Sequence, residues 1–139
     1  MVNAGRLSTP SVYETPLSTA DDEAWRGGPR PGTSMPDAPI ATASGGSMYL
    51  TDALAENGMR FTLLEFGNGV AADAPEGVRT VRIGGDGGFA DSEGLAGVRY
   101  DAEPDTAYLL RPDGYVAARF RHPTRPALDA ALARAAGQN

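Results

Sequence analysis

Cysteine is absent from the 139 residues. The chain therefore has no disulfide, thiolate nucleophile, CxxC redox pair or cysteine-ligated zinc or iron–sulfur centre. Histidine occurs once, at His122, which excludes a His-rich metal site and an internal His relay. Lysine is missing too: all 12 basic residues are arginine, against 18 Asp and Glu, for a net charge of −6. A chain of that sign has no electrostatic grip on nucleic acid or anionic lipid, so neither is an expected partner. A Walker-type loop ending in GK[ST] is impossible without lysine. No apolar run reaches the roughly 18 residues that a membrane span needs. The N-terminus shows no basic segment followed by an apolar one, so the expected location is the cytoplasm. Arginine without lysine, beside much Ala, Gly and Pro, reads as the codon usage of a GC-rich bacterium and not as a function.

What is present suits a folded domain: 41% of residues are hydrophobic and 22% charged, in a length that fits one domain with a real core. The two ends differ. Residues 1–47 carry Pro10, Pro16, Pro29, Pro31, Pro36 and Pro39 with scattered Gly, Ser and Thr, a pattern of extended backbone. They also carry Val12, Tyr13, Leu17, Trp25 and Met35, apolar side chains that a free linker does not need. The segment therefore reads as an extended arm lying across another surface, of this domain or of a neighbour. Residues 48–139 read as the folded domain.

Within that domain, Leu50 and Leu54 four apart, Asp52 near the start and Asn57-Gly58 beyond predict a short helix over 49–56. Residues 61–66, apolar and rich in β-formers, predict a strand buried on both faces. Alternation over 78–83 predicts a second strand, and a single helical turn is expected over 91–95. Residues 106–111 and 115–121 flank Pro112-Asp113-Gly114, a strong hairpin signal. Thr124 as cap, Pro126 in the first turn and Gly137 beyond predict a helix over 124–136, with Leu128 and Leu132 on one face. The fold class is α/β: a small central sheet with flanking helices, preceded by an extended Pro/Gly-rich arm.

Candidate sites are few. Gly85-Asp86-Gly87 could open a GxGxxG, but Ala90 stands at the third glycine and the following segment is short and acidic. Asp21-Asp22-Glu23 lacks the glycine and terminal Glu of a calcium loop. His122 has no nucleophile or orienting partner in view. Tyr108, Tyr115 and Phe120 could line an aromatic pocket, though strand spacing favours packing pairs. Arg111, Arg119 and Arg121 are expected to pair with Asp113 and Glu103, or with carboxylates of a partner. No constellation performs catalysis. No residue of this chain is assigned to a catalytic, cofactor-binding or metal site.

Phe61-Thr-Leu-Leu-Glu-Phe-Gly67, followed by Tyr108-Leu-Leu-Arg-Pro-Asp-Gly-Tyr-Val-Ala-Ala-Arg-Phe-Arg121, resembles the C-terminal domain of FAD-dependent aromatic-ring hydroxylases. Val2-Asn-Ala-Gly-Arg-Leu-Ser-Thr-Pro-Ser-Val-Tyr13, Arg30-Pro-Gly32 and Asp37-Ala-Pro39 resemble the lead-in to it. In style the chain is nearest the phenol hydroxylases and 3-(3-hydroxyphenyl)propionate hydroxylases. The resemblance implies a thioredoxin-like fold without the redox cysteines. It also implies a fragment, with Met1 an added start, whose partners are the FAD and substrate domains of a parent chain. That parent would use NAD(P)H and FAD to hydroxylate an aromatic ring; this chain would hold no cofactor and brace the flavin domains or a subunit interface. A homodimer is possible on that view. A domain cut from its neighbours is expected to bare apolar surface, with the arm's apolar residues the candidates. The alternative is a free-standing thioredoxin-like module that binds a protein partner without redox activity.

Overall fold

The computed structural model describes residues 18–21, 25–55, 60–67, 74–85 and 88–137. The elements run β1 (Pro39–Ala41), β2 (Ser47–Tyr49), α1 (Leu50–Ala55), β3 (Thr62–Phe66), β4 (Arg79–Ile83), α2 (Leu95–Arg99), β5 (Ala107–Leu110), β6 (Val116–Phe120) and α3 (Arg125–Ala135). β3 and β4 are parallel, with Leu64 opposite Val81 and Phe66 opposite Ile83. β5 pairs antiparallel with the other side of β3, and β6 pairs antiparallel with β5. The result is a mixed sheet in the order β4-β3-β5-β6, the α/β arrangement expected for a thioredoxin-like domain. β1 and β2 form a separate antiparallel pair.

Because side chains alternate along a strand, the two faces of the sheet are distinct. Leu64, Phe66, Val81, Ile83, Tyr108 and Leu110 point to one face, where they meet Ala38, Ile40, Leu50, Ala53, Ala96 and Tyr100. Leu63, Ala107, Leu109, Ala118 and Phe120 point to the other, which α3 covers with Leu128, Ala131 and Ala135. The helix starts as its sequence dictates, with Thr124 Oγ1 accepting the Ala127 N–H at 3.3 Å and Pro126 in the first turn. The predicted hairpin is there also. Gly114, at φ +87°, closes the Pro112-Asp113-Gly114 turn and donates its N–H to Arg111 O at 2.9 Å.

Two local expectations change. Tyr49 is strand, not helix: in β2 Met48 pairs with Ile40 and Tyr49 with Pro39, and α1 begins at Leu50, whose N–H donates to Ala38 O. The pairing with β1 wins because the partner strand lies only a turn away. The helical turn expected at 91–95 also shifts, to Leu95–Arg99. Asp91 stands before it, its carboxylate accepting the N–H groups of Ala96 and Gly97 at 3.0 and 2.8 Å.

The described residues before β1 include several that lie along the outer edge of β6. Thr19 N donates to Ala117 O at 2.9 Å, Gly32 N to Val116 O at 2.8 Å and Met35 N to Gly114 O at 2.9 Å, while Val116 N donates to Thr33 O. Trp25 and Met35 pack against the core, so these arm residues do not supply bare apolar surface. Among the described residues the large apolar side chains left exposed are Tyr49 and Val98. Val12, Tyr13, Leu17 and the lead-in over residues 2–13 lie outside the described residues.

Candidate functional site

β6 carries one arginine, Arg119, and a second, Arg121, follows directly after its end. Arg119 stands opposite Tyr108 of β5, and both Arg119 and Arg121 are buried. A guanidinium withdrawn from water must be matched by acceptors, and these two are. Arg119 forms a two-pronged pair with Asp21, Nε to Oδ1 at 3.0 Å and Nη2 to Oδ2 at 2.8 Å, and its Nη1 donates to Gly27 O at 2.9 Å. Arg121 donates to Asp101 Oδ2 at 2.7 Å, to Asp101 O at 2.6 Å and to Thr106 Oγ1 at 3.1 Å. The indole of Trp25 lies against both, its ring centre 4.2 Å from the Arg119 guanidinium carbon and 3.8 Å from that of Arg121. At that distance each cation is attracted by the ring's quadrupole.

The neighbouring groups complete the cluster. Asp101, at φ +49°, accepts the backbone N–H groups of Arg26 and Gly27 at 3.1 and 3.2 Å. Desolvation alone would raise its pKa, but those N–H groups and Arg121 outweigh it and hold the carboxyl below its ordinary value. Trp25 meets Tyr108 edge-on at 5.7 Å between ring centres, and Tyr108 meets Tyr100 at 5.0 Å. The Tyr108 hydroxyl donates to Tyr100 O, and the Tyr100 hydroxyl to Pro36 O. Burial pushes the Tyr108 phenol up to about 12 against the opposing pull of Arg119, and burial also raises Tyr100. Gly28, at φ +75°, fits beneath: a Cβ there would come within 2.6 Å of the Tyr108 hydroxyl and 2.8 Å of Tyr100 O.

The residues singled out in sequence are not brought to one place. Tyr108 faces the arm, Phe120 faces α3, and Tyr115 sits at the turn with Arg111 5.9 Å from its ring centre, so the trio forms no shared pocket. Arg111 pairs with Asp113 at 2.7 Å, as expected. Glu103 is 3.9 Å from Arg121, a peripheral partner beside Asp101, and Arg119 pairs with neither expected carboxylate. His122 is exposed. Asp22 and Glu23 lie outside the described residues.

One buried acid went unnoticed in the sequence. Glu65 sits in β3, its pKa raised by burial although Arg82 opposes this from 3.2 Å. Among the described residues no group of three or more His, Cys, Asp or Glu is placed to hold a metal, and no helix is long and apolar enough to cross a membrane.

Among the described residues no dinucleotide-binding loop is formed. A dinucleotide loop must run from a strand into a helix, with the phosphates at the helix N-terminus. Here Phe89 N donates to Arg82 O and Gly84 N to Phe89 O, and α2 begins only at Leu95. Asp86 and Gly87 lie outside the described residues. A cleft of about 340 Å³ beside the hairpin turn, between Met35, Leu54, Arg60 and Arg111, is open and has no glycine-rich cradle leading into a helix.

Comparison with known proteins fits this geometry. Residues 28–139 match the family described as the C-terminal region of aromatic-ring hydroxylases. No curated relative matches by sequence. Among solved structures, the flavin-dependent monooxygenase PieE, in complex with FAD and substrate, superposes with a TM-score of 0.71 at 28% identity over 92% of this chain. Aklavinone-11 hydroxylase, in a ternary complex with FAD and aklavinone, gives 0.70 at 27% identity over 91%. RebC, at 20% identity and a TM-score of 0.59, agrees in fold. The chain spans about a quarter of the length of the first two, 25% and 26%. By the match over residues 28–139, the chain belongs to the aromatic-ring hydroxylase C-terminal family.

Proposed function

We propose that this chain is the C-terminal domain of an FAD-dependent monooxygenase that hydroxylates an aromatic ring. In this reading its own role is structural: it braces the flavin and substrate domains that precede it. The observation that carries the reading is coverage. The chain aligns along nearly its whole length with a quarter of two FAD-complexed monooxygenases, at 28% and 27% identity. NAD(P)H as the reductant of that flavin belongs to the same proposal. In such an enzyme the cofactor supplies the redox chemistry and the preceding domains position it. This domain contributes packing, and its densest polar cluster is spent on its own fold. The substrate is assigned as an aromatic ring, a class that includes both the 3-(3-hydroxyphenyl)propionate type suggested by sequence style and the aklavinone bound by one structural neighbour.

The test is to purify the 139-residue chain, add FAD and NADPH, and record flavin absorbance after gel filtration together with NADPH oxidation. No retained flavin and no oxidation above background are expected. In parallel, the reading frame upstream of Val2 is expected to continue through a strand–GxGxxG–helix unit. Flavin retained stoichiometrically by this chain, or a frame closed immediately upstream, overturns the proposal. The closed frame would turn attention to a free-standing binding module.

A further inference from the structure

Asp21 and Trp25 precede the stretch 28–139 that defines the family, whereas the arginines that hold them lie near its far end, 98 residues on from Asp21 in the case of Arg119. We propose that Thr19–Asp21 and Trp25–Met35 act as a fastened strap, which ties the segment entering this domain to the edge of β6 and fixes the point from which the upstream chain departs.

The fastening is threefold. On the α3 face of the sheet, Arg134 Nε donates to Ser18 O at 2.8 Å. At the edge, the backbone bonds from Thr19, Gly32 and Met35, and that from Val116 to Thr33, cover groups that an open edge strand would present to solvent. On the opposite face, Asp21 and Trp25 meet Arg119 and Arg121. The segment thus wraps from one face to the other around a sheet edge. Electrostatics favour the closed state: Arg119 in β6 and Arg121 just beyond its end are like charges in a poorly hydrated place, and Asp21 and Asp101 neutralise one each. A swivelling linker needs none of this. As a junction to preceding flavin domains the strap rests on the function proposed above; the fastening itself does not.

Trp25 is the single tryptophan of the chain, so its fluorescence reports on the strap alone. Trypsin cleavage at Arg26–Gly27 supplies a second readout, since Arg26 is exposed while both flanking N–H groups are held by Asp101. In the 139-residue chain, acrylamide is expected to quench Trp25 less than a free tryptophan analogue. Asp21→Asn removes the charge of a surface-reaching carboxylate, and is expected to raise both the quenching and the cleavage rate, the latter about tenfold for the loss of one charge-assisted pair. Arg119→Met should act alike; if that variant does not fold, Asp21→Asn decides alone. Wild-type Trp25 quenched as freely as the analogue, or Asp21→Asn cleaved at the wild-type rate, overturns the strap. Neither readout depends on flavin, so the strap and the proposed function can fail separately.

Discussion

Asp101, held by Arg121, gives the clearest titration. The Asp101 carboxyl lies below its ordinary value of 3.8 because Arg121 and two backbone N–H groups favour the charged form more than burial disfavours it. A carboxylate with a depressed folded pKa stabilises the fold fully above its unfolded value, and that contribution drains as the pH falls through the folded one. Asp101→Asn is therefore expected to be less stable than wild type near neutrality. The gap in urea midpoint between the two should close as the pH is lowered below about 4, the ordinary carboxylate range. Taking the difference cancels every other carboxylate, and a gap constant across that window would refute the assignment. Part of this was legible in sequence. Arg111 and Asp113 lie two residues apart in a turn, and their pair could be expected. Asp21 and Arg119 are linked only through the folded sheet, and nothing local to either names the other.

The strands expected over 61–66 and 78–83, the hairpin and α3 are present, whereas Tyr49 is decided by pairing with β1 and the helical turn expected at 91–95 forms at Leu95–Arg99. The hairpin of β5 and β6 follows from Pro112-Asp113-Gly114 between two apolar runs, and α3 from Thr124, Pro126 and its small apolar face. The helix expected over 49–56 starts one residue early because Leu50 and Leu54 fit a helical stripe, while the competing signal for Tyr49, its partner strand β1, lies in a Pro-rich stretch without alternation. The same stripe logic treated Leu128 and Leu132 as equals on α3. Packing separates them: Leu128 is fully buried against the sheet, and Leu132 only partly. Leu128→Ala is expected to cost about 3 kcal/mol, as for a buried leucine whose cavity cannot collapse. Leu132→Ala should cost about 1 kcal/mol, the loss of partly buried methylenes. Urea unfolding of the two variants checks the ranking, and equal losses would mean that α3 is rotated on the sheet.

At the scale of the molecule, the strand order β4-β3-β5-β6 was not in the residue pattern, because periodicity says which faces are buried and not which strands are neighbours. It was available only through the family resemblance, carried by Phe61–Gly67 and the hairpin. The family span opens at residue 28, yet among the described residues contacts that complete the sheet are made from Ser18 onward. A chain shortened to residues 28–139 separates these two boundaries. It keeps the bonds of Gly32, Thr33 and Met35, so the first half of the β6 edge stays covered. It loses the Thr19 bond to Ala117, the Trp25 ring and the one carboxylate that pairs with Arg119 among the described residues; the Arg119 side chain is 3% exposed. Removing one partner of a buried charge typically costs about 3–5 kcal/mol, since the survivor stays desolvated and unpaired. The second half of the β6 edge is then open to another strand, and two shortened chains have matching edges to offer each other. The shortened chain is thus expected to unfold at lower urea and to self-associate in sedimentation at concentrations where the 139-residue chain shows less association. Equal stability and equal association would place the physical boundary at residue 28 and leave Asp21 and Trp25 as passengers on a domain complete without them.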